Sequence, residues 1–207
     1  MDRAYLKSKA KDQLRGRWGL AIITILVSNI FINTTNLLQG FKVILDISPK
    51  VSLSFNLITL ILGGVISTGL SKFLLNFTTN TEEPKFKDIF SYFNIFFKTL
   101  GLFVLIGIIG LLGFILLIIP GIIVTLMYSQ SFYILAENPD KGIFQCLEES
   151  SRLMSGHKWE LFVLELSFIG WWILAGLTLG IGSLWVEPYQ KVTETNFYFK
   201  LKYENMV

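Results

Sequence analysis

Residues 156–189 read GHKWELFVLELSFIGWWILAGLTLGIGSLWVEPY. A polar, aromatic doorstep, His157 to Glu160, leads into nearly thirty mostly apolar residues. Beyond the doorstep only Glu165 and Glu187 carry charge. A run of this length and composition belongs in a lipid bilayer, where roughly 20 apolar residues make one helical crossing. Its length exceeds one crossing, and Thr178-Leu179-Gly180-Ile181-Gly182 offers an uncharged turn inside it, with Gly180 and Gly182 as turn residues. The stretch therefore predicts two helices, about 160–178 and 181–202. The second half of the latter, Tyr189 to Lys202, is polar and aromatic, so it must line protein or leave the bilayer.

The rest of the 207-residue chain repeats the pattern. Hydrophobic residues make up 52% and charged residues 16%, where a soluble domain is nearer one quarter charged. Spans are expected at about 18–34, 51–76, 99–119 and 121–136. The run from Thr99 to Ala136 is too long for one crossing, and Pro120-Gly121 near its middle is a turn pair. One kinked long helix is the other reading of that run. Gly63, Gly64 and Gly69 in the second span, and Gly107, Gly110 and Gly113 in the third, predict close helix approach. The intervening segments are polar with helical spacing of apolar residues. Leu6, Ala10 and Leu14 share one face, as do Phe86, Phe90, Phe93 and Phe97, with Pro84 near the start. After the Asn138-Pro139-Asp140 turn, Ile143, Phe144, Leu147, Leu153 and Met154 make a third apolar face, with Glu148, Glu149 and Arg152 on the wet side. Each segment reads as an amphipathic interfacial helix. The fold class is all-α integral membrane. It comprises one polytopic domain over 1–207, with six transmembrane helices as three hairpins, each preceded by a surface helix.

Charge placement orients it. With both termini, residues 78–98 and residues 137–158 in the cytoplasm, and Lys72 and Lys191 at cytoplasmic helix ends, sixteen of the eighteen Lys/Arg residues fall on that side. Only Lys42 and Lys50 fall outside. Five spans, with 161–186 as one tilted helix, would strand Lys191, Lys200 and Lys202 on the far side. The net charge of +3 is thus an orientation signal and not a nucleic-acid one. The basic start followed by an apolar run lacks a small-residue cleavage site and reads as an uncleaved anchor. Asn33-Thr34-Thr35 matches a glycosylation sequon.

A threefold internal repeat fits the same plan. Leu14-Arg15-Gly16-Arg17-Trp18 resembles Met154-Ser155-Gly156-His157-Lys158-Trp159, with Lys98-Thr99-Leu100-Gly101 as a fainter echo. Gly64, Gly121 and Gly182 each precede a polar residue seven positions on: Ser71, Tyr128 and Tyr189.

Four C-terminal runs carry a family resemblance: Ile118–Ile122 (IIPGI), Tyr133–Asp140 (YILAENPD), Ser155–Phe162 (SGHKWELF) and Leu166–Trp171 (LSFIGW). With Pro188-Tyr189, Phe197-Tyr198 and Leu14–Trp18, the chain resembles the domain of unknown function 975 family of bacterial membrane proteins. Asn196 stands where members often carry Ala, a departure that bears on packing at that end. A more distant similarity, through the Ile-Pro-Gly turn and the following surface helix, is to the membrane domain of some glycerophosphodiester phosphodiesterases. The resemblance implies a multi-pass protein of the bacterial cytoplasmic membrane and no particular activity.

Chemistry can sit in few places. Glu165 lies roughly 9 Å along its helix from Trp159, counting 1.5 Å per residue. An intramembrane carboxylate must be protonated, paired or facing water. It reads either as a proton- or cation-coupling acid or as a structural partner of Ser167 or Tyr128. Glu187 precedes Pro188, which removes a backbone bond and can free carbonyls. With Tyr189 and Thr193 it forms a polar face that either binds something or serves helix packing. Arg17, Trp18, His157, Lys158 and Trp159 read as headgroup anchors. A single Cys and a single His exclude the usual zinc clusters, so no metal or cofactor is expected. No P-loop, HExxH, GxSxG or CxxC occurs. The expectation is a non-enzymatic protein whose partner is the lipid bilayer and whose ligand is a lipid, peptide or other small amphiphile. The alternative is a scaffold that docks a cytoplasmic component through its surface helices. Nothing in the sequence sets an oligomeric state.

Overall fold

A computed structural model of the chain describes residues 2–32, 49–79 and 82–204. The sequon at 33–35 and Lys42 lie outside the described residues. Every regular element among the described residues is helical. In chain order these are α1 (Arg3–Leu14), α2 (Trp18–Ile32), α3 (Pro49–Thr79), two 3₁₀ turns (Phe86–Phe90 and Phe93–Ile95) and α4 (Phe96–Leu116). Then come α5 (Ile118–Tyr128), α6 (Ser131–Glu137), α7 (Ile143–Leu153), α8 (Lys158–Leu166), α9 (Ile169–Leu177) and α10 (Ser183–Glu204).

Four stretches are long and apolar enough to cross a bilayer: Asn56–Thr79, Phe86–Leu116, Ile118–Glu137 and Lys158–Leu177. A fifth appears if α1 and α2, which meet at 102°, are counted as one broken segment. These helices present lipid-like exteriors. Ile115, Leu116, Leu117, Ile118, Ile119, Leu177 and Leu179 are all exposed around the helix ends.

The long 99–136 run does break, but at Leu117 and not at Pro120-Gly121. Leu117 is extended, with φ −167° and ψ 157°. Pro120 instead occupies the first turn of α5, where a missing N–H costs nothing. Gly121 donates the first helical bond of α5, to the Leu117 carbonyl at 3.2 Å. It also lets the two helices close on each other, since a Cβ on Gly113 would lie 3.0 Å from Gly121 Cα. Of the glycine stripe in α4 only Gly113 serves this purpose; Gly107 and Gly110 face open space. In α3 the expectation holds. A Cβ on Gly64 would come within 2.3 Å of the Thr99 carbonyl oxygen, and one on Gly69 within 2.1 Å of that of Ile89.

The surface segments depart from simple interfacial helices. The apolar face of α1 (Leu6, Ala10, Leu14) is buried against protein. Leu6 packs in a cluster with Met154, Leu161, Leu164, Phe197 and Leu201. The docking is polar as well. The Gln13 and Asn196 side-chain amides exchange hydrogen bonds of 3.3 and 2.6 Å, and Gln13 Nε2 also donates to the Thr78 carbonyl at 2.9 Å. Of the Phe86–Phe97 spacing, Phe86, Phe90 and Phe93 fold into two 3₁₀ turns and Phe97 into the first turn of α4; Asp88 bends back to accept from Lys85 N at 3.0 Å while Ile89 lies against Gly69. The four phenylalanines remain exposed. Along α7 and its C-terminal Met154 the expected face is buried or half-buried except Phe144, which stands 77% exposed.

The repeat is visible at two of its three positions. Gly16 and Gly156 share a left-handed conformation, φ +78° and +81°. Each comes after a helix end and precedes a new helix, α2 or α8. Glycine alone adopts this region without steric cost. Gly101 lies within α4 instead, facing Ile143.

Candidate functional site: a polar ladder along the last helix

The α10 sequence places Glu187, Lys191 and Glu194 on consecutive turns, so they share one face. Pro188 sits inside the helix and is buried. Lys191 Nζ bonds Glu194 Oε2 at 2.8 Å. The other Glu194 oxygen accepts from Gln190 Nε2 at 2.9 Å, and Gln190 Oε1 accepts from Trp172 Nε1 at 2.8 Å. One turn earlier, Asn29 of α2 donates to Glu187 Oε1 at 2.5 Å. Glu165 of α8 is half-buried within electrostatic reach of both Glu194 and Lys191. Glu194 thus pairs with the Lys191 ammonium, and Glu165 and Glu187 lie within electrostatic reach of that pair. Such an arrangement can hold a cationic or hydrogen-bonding group, or pass a proton between carboxylates, provided each charge keeps a partner.

The ladder continues down α10. Tyr133 meets Thr195 Oγ1 at 3.2 Å and stacks on Tyr198, with ring centroids 5.2 Å apart. The Tyr198 hydroxyl and Lys202 Nζ both donate to Glu137 Oε2 at 2.6 Å. Among the described residues no group of His, Cys, Asp or Glu is arranged to hold a metal ion.

The sequence-predicted residues divide. Glu165 and Glu187 reach the same ladder, though through Lys191 and not through each other. Thr193 is buried, with its hydroxyl on the Tyr189 carbonyl at 2.7 Å. Tyr189 lies on another face of α10, against the rings of Phe168 and Trp171. Ser167 bonds the Leu164 carbonyl, and its own carbonyl accepts from Lys7 Nζ at 2.9 Å. Tyr128 is not at this site; it lines a groove with Leu105, Phe144, Glu148 and Arg152. Of the predicted headgroup anchors, Trp159 is exposed. Arg17 packs over the Phe77 ring at 4.6 Å, and His157 sits 3.4 Å from Glu160, which also bonds Lys200 at 2.9 Å. Trp18 and Lys158 are half-buried.

Sequence reading missed Lys191, Glu194, Gln190, Asn29 and Lys7. The Glu187-Lys191-Glu194 spacing was available as a signal. Asn29 and Lys7 join by tertiary contact and carry no local mark. Lys7 plugs the break between α8 and α9, its ammonium 4.1 Å from the Phe168 ring centroid. Burial, with Arg3 and Lys11 nearby, holds that ammonium below its usual lysine range.

Compared with known families, the chain matches the model for a protein of unknown function, DUF975, over residues 1–119 and 108–205. No curated protein and no solved structure matches it. The similarity to glycerophosphodiester phosphodiesterases gains no support from these comparisons.

Proposed function

Since the chain belongs to the DUF975 family of proteins of unknown function, we propose that it is a non-enzymatic protein of the bacterial cytoplasmic membrane that binds or transports a small amphiphile, lipid or peptide. Six spans as three hairpins, with both termini cytoplasmic, are part of this reading. Two of them need explaining. At 15 residues α2 is about 22 Å long, short of the roughly 30 Å apolar core, so α2 by itself does not reach across it. At 22 residues α10 is long enough, but its polar ladder is tolerable in lipid only when enclosed by other helices. Its buried residues Val192, Thr193 and Thr195 to Tyr198 fit that condition.

The observation carrying the function is the Lys191–Glu194 ion pair with the half-buried Glu165 and Glu187 within its electrostatic reach. Such a cluster is costly in a membrane and expected where polar cargo is met. The test is native mass spectrometry of the protein purified in nanodiscs. Wild type is expected to retain a bound amphiphile that the Glu165→Gln/Glu187→Gln variant has lost, at equal membrane level and equal thermal unfolding. The same bound species on both proteins would remove the proposal.

A docking scaffold is the second reading, favoured by the exposed Phe144, Glu148 and Arg152 on α7 beside a groove of about 730 Å³. Charge reversal at Glu148 and Arg152 would then release a cytoplasmic partner in pull-downs, while the two Gln substitutions would not.

A further inference from the structure

A second feature lies on α10, away from the ladder. At about 100° per residue, Trp185 and Tyr189 point well away from Glu187 and Lys191. With Trp18, Trp171, Lys11 and Arg15 they line a groove of about 360 Å³ between α1, α2, α9 and α10. No acidic side chain lines it. Lys11 stands in the last turn of α1 and Arg15 caps its C-terminal end, and both are exposed. Neither forms an ion pair among the described residues. Lys11 Nζ lies 5.3 Å from the Tyr189 ring centroid and 5.7 Å from that of Trp171. Two unneutralised cations therefore stand at one end of a wall made of three indoles and a phenol.

We propose that this groove binds an anionic phospholipid, with its phosphate-bearing headgroup at Lys11 and Arg15 and its glycerol and upper chain along Trp18, Trp171 and Trp185. Charge complementarity selects the head, since basic groups beside a bilayer attract anionic lipid. The aromatic wall selects an amphiphile over a soluble anion, because indoles favour the boundary between headgroups and hydrocarbon. The inference rests on the membrane placement proposed above, but not on the ladder.

The test places the full chain, in a Trp159→Phe background that removes an exposed indole outside the groove, in phosphatidylcholine nanodiscs. Increasing fractions of brominated phosphatidylglycerol or brominated phosphatidylcholine are then added, and bromine quenches indoles that it touches. Half-quenching is expected at roughly thirtyfold less phosphatidylglycerol, about the combined effect of two basic side chains at an anionic surface. Lys11→Gln/Arg15→Gln is expected to bring the two lipids to near parity with thermal unfolding unchanged. Arg3→Gln/Lys9→Gln removes the same charge from the same helix outside the groove and is expected to keep the preference. Glu165→Gln/Glu187→Gln is expected to keep it too, so this site and the ladder fail separately. Equal quenching of wild type by both lipids would overturn the proposal, as would equal losses in the two charge-removing variants of α1. Relief of quenching by inorganic phosphate would also overturn it, reassigning the groove to a soluble anion.

Discussion

Asn196 shows how one side chain ties distant parts of this chain together. It is almost fully buried, and its amide is satisfied by Gln13, 183 positions away in sequence. Leaving a buried amide without its partner costs about 1–3 kcal/mol. Asn196→Ala is therefore expected to lower stability by about that amount in chemical unfolding from detergent micelles. Gln13→Ala/Asn196→Ala should cost less than the sum of the single changes, by roughly 0.5–3 kcal/mol, as for residues in direct contact. Additive losses would show that the amide pair carries no coupling. The sequence marked Asn196 as unusual but could not name its partner, because a pairing between the first and last helices leaves no periodic trace in either. Glu165 and Glu187 were legible for the opposite reason: a charge inside an apolar run stands out by itself.

At the scale of elements, glycine decides where helices touch. Gly64 and Gly69 place the α3 backbone directly against carbonyl oxygens of Thr99 and Ile89. A methyl group at either position has no room, and overpacking of this kind typically costs about 1–3 kcal/mol. Gly64→Ala and Gly69→Ala are each expected to lower the thermal unfolding temperature in detergent. Gly107→Ala and Gly110→Ala face open space and should leave it unchanged or raised, because alanine is the better helix former by about 1 kcal/mol. A uniform response across the four would refute the assignment of contacts. Sequence identified all four as small residues suited to packing, yet only neighbours in space separate the two pairs. The same limit applies to Pro120-Gly121. The pair reads as the turn between two helices, but the chain turns three residues earlier, at Leu117, and both residues lie inside the following helix. The helices themselves were legible because apolar length is a direct consequence of bilayer thickness.

For the molecule as a whole, the topology can be mapped with one cysteine at a time. Cys146 is fully buried, and burial raises its thiol above the usual range. It should therefore resist maleimide in the folded protein and react once unfolded. A Cys146→Ser chain carrying single cysteines at Lys9, Lys87, Leu179 or Lys202 is expected to report a two-sided pattern in intact cells. An impermeant maleimide should label only the cysteine at 179. Labelling at 9, 87 or 202 would contradict the proposed orientation. That the chain is built of helices, several of them long and apolar enough to cross a bilayer, could be read from hydropathy. What could not be read is that α1, which looks like a helix resting on the membrane surface, is built into the protein.

That docking has a consequence for biosynthesis. The contacts of Leu6, Lys7 and Gln13 are with Phe197, Ser167 and Asn196, which leave the ribosome late. Lys7 waits for a partner 160 positions downstream and Gln13 for one 183 positions downstream. The first helix therefore remains without these partners while most of the chain is translated. Closure of α1 against α10 comes at the end of synthesis, and a chain stalled before α10 would leave the apolar face of α1 unclaimed.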